Sequence, residues 1–241
     1  MRHTLAILFL FCWFGGVAQP YGYYLEPKAE TKVILKSIFS LEYDEEHEQA
    51  RWVFYILEPG YYIGDAKRKS SFRMDDSVST VTAGNADYYK SGYDRGHLIP
   101  ANSMSFSQKA MDETFYYSNI SPQFPSFNRG IWKNLEGKVM EWTRAESRLY
   151  VVTGPVFIDN LGTIGPNEVT IPGYFFKVIY DPTGSEKMIA FLIPNEKCEK
   201  PLQAYILTVD DIELLTGIDF FFRLEDEKEE RLESERFIWG F

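Results

Sequence analysis

The apolar positions of this chain fall into a few dense runs separated by long polar stretches. Arg51–Leu57 (RWVFYIL) is β-branched and aromatic and predicts a strand, closed by Glu58-Pro59-Gly60. Leu149–Val152, Tyr174–Tyr180 and Met188–Ile193 predict three more. Asp181-Pro182-Thr183-Gly184 is a turn signature between the last two, so they predict a hairpin. Ile131, Leu135, Val139 and Trp142 recur at spacings of 4, 4 and 3, one buried stripe on a helix over Asn128–Ser147. A short helix is predicted within Met104–Tyr117. Another spans Thr208–Leu215, with Thr208 as N-cap and Gly217 just past its end. Residues 64–93 are polar and read as a long surface loop, a common place for function. Residues 223–237 read as a charged terminal helix or tail, and residues 19–50 show no strong pattern. Strand hairpins with clustered helices and no linker predict one α+β domain with a mainly antiparallel sheet flanked by helices.

The N-terminus stands apart. Arg2 and His3 precede an apolar run, Leu5–Phe14, and Gly16-Val17-Ala18 offers small residues for cleavage before Gln19. The run is shorter than the ~20 residues a spanning helix needs. Residues 1–18 are therefore expected to be a signal peptide. The mature domain, 19–241, is expected to be exported, periplasmic or extracellular, with no membrane segment. That removal leaves Cys198 as the lone thiol and His47 and His97 as the histidines. An internal disulfide and a zinc site of three His, or of Cys and His pairs, are both excluded. An imidazole base must be His47 or His97. His47 sits in the acidic stretch Glu42–Glu48 and reads as a solvated surface residue.

The formal charge of −10 argues at first against a nucleic-acid binder. Its distribution reverses that impression. Residues 65–148 hold 12 Lys+Arg and 10 Asp+Glu, net +2, whereas the rest of the mature chain holds 12 and 25, net −13. Net charge governs solubility, not a local groove.

The basic region contains the polar set that packing does not explain: Asp94-Arg95-Gly96-His97, Ser118-Asn119-Ile120-Ser121-Pro122-Gln123, and Asn128-Arg129-Gly130-Ile131-Trp132-Lys133-Asn134-Leu135-Glu136. His97 can take a proton from water near neutral pH. Asp94 is placed to accept from the imidazole or to pair with Arg95. Asn128 offers a neutral, hard carbonyl oxygen suited to Mg²⁺ or Ca²⁺. On a continuous helix, Glu136 lies about 80° round from Asn128 and two turns along, placed to hydrogen-bond metal-bound water. A base, a hydrated hard cation and nearby guanidinium are what phosphodiester hydrolysis needs.

With these residues in this order, the chain resembles the DNA/RNA non-specific endonucleases of the ββα-metal superfamily. Arg51-Trp52-Val53, Arg68–Asp75, Val152-Thr153-Gly154-Pro155, Tyr174-Phe175-Phe176-Lys177 and Pro194-Asn195 extend the likeness over most of the mature chain. The resemblance implies a ββα-metal nuclease core. It implies His97 as general base, Asn128 as the direct ligand of one Mg²⁺, with Mn²⁺ as substitute, and Glu136 as holder of metal-bound water. Asn119 would position water or substrate. Asp94 and Arg95 would order the base and the phosphate site. Arg68, by its spacing to Phe72 and Asp75, would stabilise the transition state, with Arg73 as competitor. The implied substrates are DNA and RNA, the products carry 5′-phosphates, and a homodimer is expected. Two rivals share the fold: a phosphodiesterase acting on small nucleotides and an inactive nucleic-acid-binding relative.

Overall fold

The computed structural model describes residues 25–240, apart from Ser70, Val81 and Ser147. The expected signal peptide lies outside the described residues. The strands are β1 (Val33–Leu35), β2 (Phe39–Asp44), β3 (Gln49–Leu57), β4 (Asp94–His97), β5 (Ile120–Gln123), β6 (Leu149–Val156), β7 (Thr163–Ile164), β8 (Val169–Thr170), β9 (Tyr174–Asp181), β10 (Lys187–Pro194) and β11 (Ile206–Leu207). The α-helices are α1 (Asn85–Tyr88), α2 (Gln108–Glu113), α3 (Pro125–Phe127), α4 (Lys133–Glu146), α5 (Val209–Thr216) and α6 (Asp226–Ser234). Seven strands form the central sheet in the order β1-β2-β3-β6-β9-β10-β11, with every neighbouring pair antiparallel. β4 and β5 pair apart from it, as do β7 and β8.

The two-residue period of a strand sorts side chains onto the two faces of the sheet. On β3, Val53 and Tyr55 enter one core with Leu135, Val139 and Trp142 of α4. Trp52 and Phe54 enter the other with Val209 and Ile212 of α5 and Leu232 of α6. The helix stripe read from the sequence is buried throughout, and the β9–β10 hairpin turns where the Asp-Pro-Thr-Gly signature stands. Thr208 caps α5 by accepting from the Asp211 amide, and Gly217 ends it at φ +65°, a conformation that favours glycine. Among the described residues no helix is long and apolar enough to cross a membrane.

Four expectations are corrected. Residues 19–50 do contain strands, β1 and β2. Their pattern is masked by Glu42, which is buried because it accepts from the amides of Glu30 and Thr31, the Thr31 hydroxyl and Trp52 Nε1. His47 is half-buried rather than a free surface residue: its ring stacks on Phe157 with centroids 3.7 Å apart, and Nδ1 meets Thr170 Oγ1 at 3.0 Å. The helix over Asn128–Ser147 is not continuous. Asn128–Trp132 forms a wide turn with Gly130 at φ −103°, ψ −110°, and regular helix begins at Lys133, so the angle reckoned between Asn128 and Glu136 does not hold. Finally, residues 64–93 are not all surface loop: the stretch contains α1 and buries Val78, Ala83 and Tyr88. Asp75 is buried within it, paired with Lys36 and accepting from Ser118 Oγ at 2.5 Å and from the Ser77 amide at 3.1 Å. Burial raises the Asp75 carboxyl, but the Lys36, Ser118 and Ser77 contacts outweigh it and hold it below the usual range. Of the loop's basic residues, Arg68 joins Arg95 and His97 of β4 in one cleft.

Candidate active site

β4 is the Asp-Arg-Gly-His segment itself. It runs antiparallel to β5, with Asp94 opposite Gln123 and His97 opposite Ile120. Alternation sends Arg95 and His97 to the same face, and both line a cleft of about 560 Å³. Gly96 is needed for a different reason: a Cβ there would overlap the buried Gln123 side chain. After β5, α3 and the wide turn carry the chain into α4, which sets Asn128 and Glu136 across the cleft from β4. The loop adds Arg68. The cleft thus holds Arg68, Arg95, Arg129 and Lys133 against one carboxylate, Glu136.

His97 is buried between aromatic rings, edge-on to Phe115 at 4.9 Å and tilted on Phe72 at 5.5 Å. Burial pushes its imidazole down to about 3, and the Arg68 guanidinium adds to the depression. A hydrogen bond to the Arg95 backbone opposes the shift, so the ring is the donor there. Nε2 has no partner. Since one nitrogen is bonded to the backbone, Nε2 is left as the lone-pair nitrogen facing the cleft.

Asp94 takes neither of the roles open to it in the sequence. Its carboxylate accepts two hydrogen bonds from Arg129, Nε at 2.8 Å and Nη2 at 2.6 Å, and one from Asn128 Nδ2 at 2.9 Å. The last contact fixes the Asn128 carboxamide. Only the amide nitrogen can face a carboxylate, so the oxygen is left for the cleft that Asn128 lines.

Glu136 is opposed by a residue the sequence reading did not assign. Lys177 on β9 is fully buried, its ammonium 3.3 Å from Tyr55 Oη and 4.7 Å from the Trp132 ring centroid. Burial raises the Glu136 carboxyl and lowers the Lys177 ammonium, and the charge of each works against the other's shift. Arg68 and Lys133 also favour the Glu136 carboxylate. The clue in the sequence was a lone lysine inside an apolar strand, Tyr174-Phe175-Phe176-Lys177.

Of the two loop arginines, Arg68 reaches the cleft. Arg73 stacks 4.1 Å over Tyr116 instead. Arg95 is held by Nε to Tyr117 Oη at 3.1 Å and Nη2 to Asn85 Oδ1 at 2.7 Å. Asn119 is not among the cleft residues. Its Oδ1 accepts from the Ile99 amide at 3.0 Å, and Nδ2 donates to the Thr114 carbonyl at 2.8 Å and the Ile99 carbonyl at 3.3 Å. It braces the turn that follows His97.

The donor set fits a hard divalent cation. A carboxamide oxygen and one carboxylate suit an ion that keeps most of its own waters and is held jointly with phosphate, which the cleft's cationic groups attract. Strand pair, helix, buried imidazole and oriented carboxamide together define a ββα-metal hydrolytic site. The comparisons agree. The chain matches the DNA/RNA non-specific endonuclease family over residues 21–227 and belongs to that family, a family of hydrolases. It is 38% identical over 198 residues to the mitochondrial Endonuclease G of Homo sapiens, spanning 76% of this chain and 67% of that one. It is 33% identical over 218 residues to Nuclease C1 of Cunninghamella echinulata var. echinulata, spanning 83% and 86%. The crystal structure of the EndoG/EndoGI complex superposes with a TM-score of 0.75 at 32% identity, covering 81% of this chain and 87% of that one.

Proposed function

We propose that the protein is a Mg²⁺-dependent endonuclease, served also by Mn²⁺, that hydrolyses DNA and RNA with little sequence preference. The observation that carries this reading is the convergence of Arg68, Arg95, His97, Asn128 and Glu136 on one basic cleft. Asn128 would ligate the ion and Glu136 would hold its water; the bound ion supplies Lewis acidity at the leaving oxygen. His97 Nε2 receives the proton of the attacking water. Burial keeps the imidazole neutral, so that lone pair is available throughout the physiological range. Phosphate bound beside Arg68 offsets the guanidinium charge and makes the imidazole a stronger base. Arg68 and Arg95 bind the phosphate and its developing charge.

Low specificity follows from the lining. Guanidinium and ammonium groups meet phosphates, which carry no sequence information. An external water nucleophile needs no 2′-hydroxyl, so the sugar is indifferent. The expected products carry 5′-phosphates. The character of residues 1–18 supports export to the periplasm or beyond.

Purified protein offered supercoiled plasmid and folded RNA, with Mg²⁺ and with EDTA, tests the reading. Both substrates are cut with Mg²⁺ and spared in EDTA, and the fragments accept a 5′ label only after phosphatase treatment. Failure to cut either across metals and pH overturns it. Cleavage confined to small phosphodiesters replaces the substrate class.

A further inference from the structure

On the sheet face opposite the cleft, α5 and α6 bring carboxylates together. Asp210 and Glu213 stand one turn apart on α5, and Glu233 faces them from α6, with one oxygen of each within 4.8 Å of the others. Glu233 is only 5% exposed, and its Oε1 has no hydrogen-bond partner. Glu229, one turn earlier on α6, has a second buried Oε1 without a partner. Glu213 accepts from the Phe220 amide at 2.7 Å. The charges facing these groups are Asp219 and the cluster's own members, with Asp211, Asp226 and Glu230 at the rim. The neighbouring lysines are engaged elsewhere, Lys28 with Asp219 and Lys228 with Glu186. Among the described residues no lysine or arginine forms an ion pair with Asp210, Glu213, Glu229 or Glu233.

An unpartnered carboxylate oxygen inside a protein is costly unless something positive meets it. Burial, aided by neighbouring carboxylates, pushes Glu213 up to about 7 and Glu233 up to about 9. We propose that Asp210, Glu213 and Glu233 form a binding site for a hard divalent cation of the Ca²⁺ class, separate from the catalytic cleft, with Glu229 at its edge. The donors are all oxygen, which favours Ca²⁺ over zinc-like ions. Oxygens about 2.3–2.6 Å from one ion are separated by up to about 5 Å, which the cluster already satisfies. Asp210 is exposed and gives the ion a way in. Asp210 and Glu213 lie within the stretch matched to the endonuclease family, and Glu229 and Glu233 lie beyond it. The site's effect is to cancel repulsion between α5 and α6 and tie α6 to the sheet.

The test is equilibrium Ca²⁺ binding to the purified chain at alkaline pH, with thermal unfolding in Ca²⁺ and in chelator. Wild type is compared with Glu233→Gln and with Asn128→Ala, which removes the catalytic ligand. Wild type and Asn128→Ala bind Ca²⁺ with a Kd of about 10⁻⁴ to 10⁻³ M and unfold at higher temperature in its presence. Glu233→Gln loses at least tenfold in affinity and loses the thermal shift. The substitution keeps shape and removes one charge, so in chelator this variant unfolds no earlier than wild type. Ca²⁺ binding by Glu233→Gln equal to wild type overturns the proposal. So does a Ca²⁺ response lost only in Asn128→Ala, which places the ion in the cleft. Absence of binding up to about 10 mM overturns it too, and leaves a carboxyl pair that shares a proton.

Discussion

The cleft and the α5–α6 cluster each bury a titratable side chain with a polar atom left unpartnered, His97 Nε2 in one and Glu233 Oε1 in the other. Their surroundings differ in sign. Arg68, Arg95, Arg129 and Lys133 line the cleft that His97 enters, whereas the charges acting on Glu233 are all carboxylates. Burial drives both groups toward neutrality, the imidazole down and the carboxyl up. In these two regions the unpartnered atom offers a ligand a contact, and the sign of the surrounding charge indicates which kind. Phosphate suits the first region and a cation the second.

The largest effect expected from breaking this comparison is on the cleft's base. His97→Ala lowers kcat for plasmid nicking by about 10³-fold, the scale of a lost general base. Next comes Lys177→Met, which removes the cation beneath Glu136 and makes the cleft floor resemble the carboxylate cluster. Leaving the Glu136 carboxylate without its buried counter-charge costs roughly 3 kcal/mol of stability, read from urea midpoints above pH 7. Asp94→Asn follows. With Arg129 released and the Asn128 amide no longer anchored on a carboxylate, the Mg²⁺ needed for half-maximal cleavage rises about 10–100-fold.

The smallest effect, and the one that sharpens the contrast most, is the dependence of stability on pH. The folded His97 pKa lies below its unfolded value near 6.5. Its contribution is therefore whole above 6.5 and is lost on acidification, at up to about 1.4 kcal/mol per pH unit. Glu233 is shifted the other way, to about 9. Its contribution is whole below pH 4.5 and is lost as pH rises toward 9 when no cation is present. Denaturant midpoints from pH 4 to 9 in chelator should show His97→Gln flattening the acid limb and Glu233→Gln flattening the alkaline one. The same limb flattened by both variants would refute the contrast.

Much of this was legible in the sequence where apolar periodicity is strong. The strands around Arg51–Leu57, Tyr174–Tyr180 and Met188–Ile193 and the stripe on α4 all follow from spacing alone. β1 and β2 were hidden because Glu42 is an inward-facing carboxylate, stabilised by four hydrogen bonds that no hydropathy pattern reveals. β4 and β5 were hidden for a related reason. Each is four residues long and polar, and what holds them is pairing with each other. At the site, the residue types pointed to the chemistry, but the partners needed three dimensions. Asp94 joins Asn128 and Arg129 across 34 and 35 residues, Lys177 comes from another strand, and Asn119 serves the backbone. The carboxylate cluster was read only as a charged helix, since composition does not say which glutamate on α6 points inward.

The central claim is a division of labour in the cleft: His97 moves the proton and Asn128 holds the ion. The most direct test is the plasmid cleavage rate of wild type, His97→Ala and Asn128→Ala across a Mg²⁺ titration. The account predicts that His97→Ala loses its rate at saturating Mg²⁺ with an unchanged Mg²⁺ midpoint, and that Asn128→Ala moves the midpoint upward by at least about tenfold. A His97→Ala rate close to wild type at saturating Mg²⁺, or an unmoved midpoint in Asn128→Ala, would contradict it.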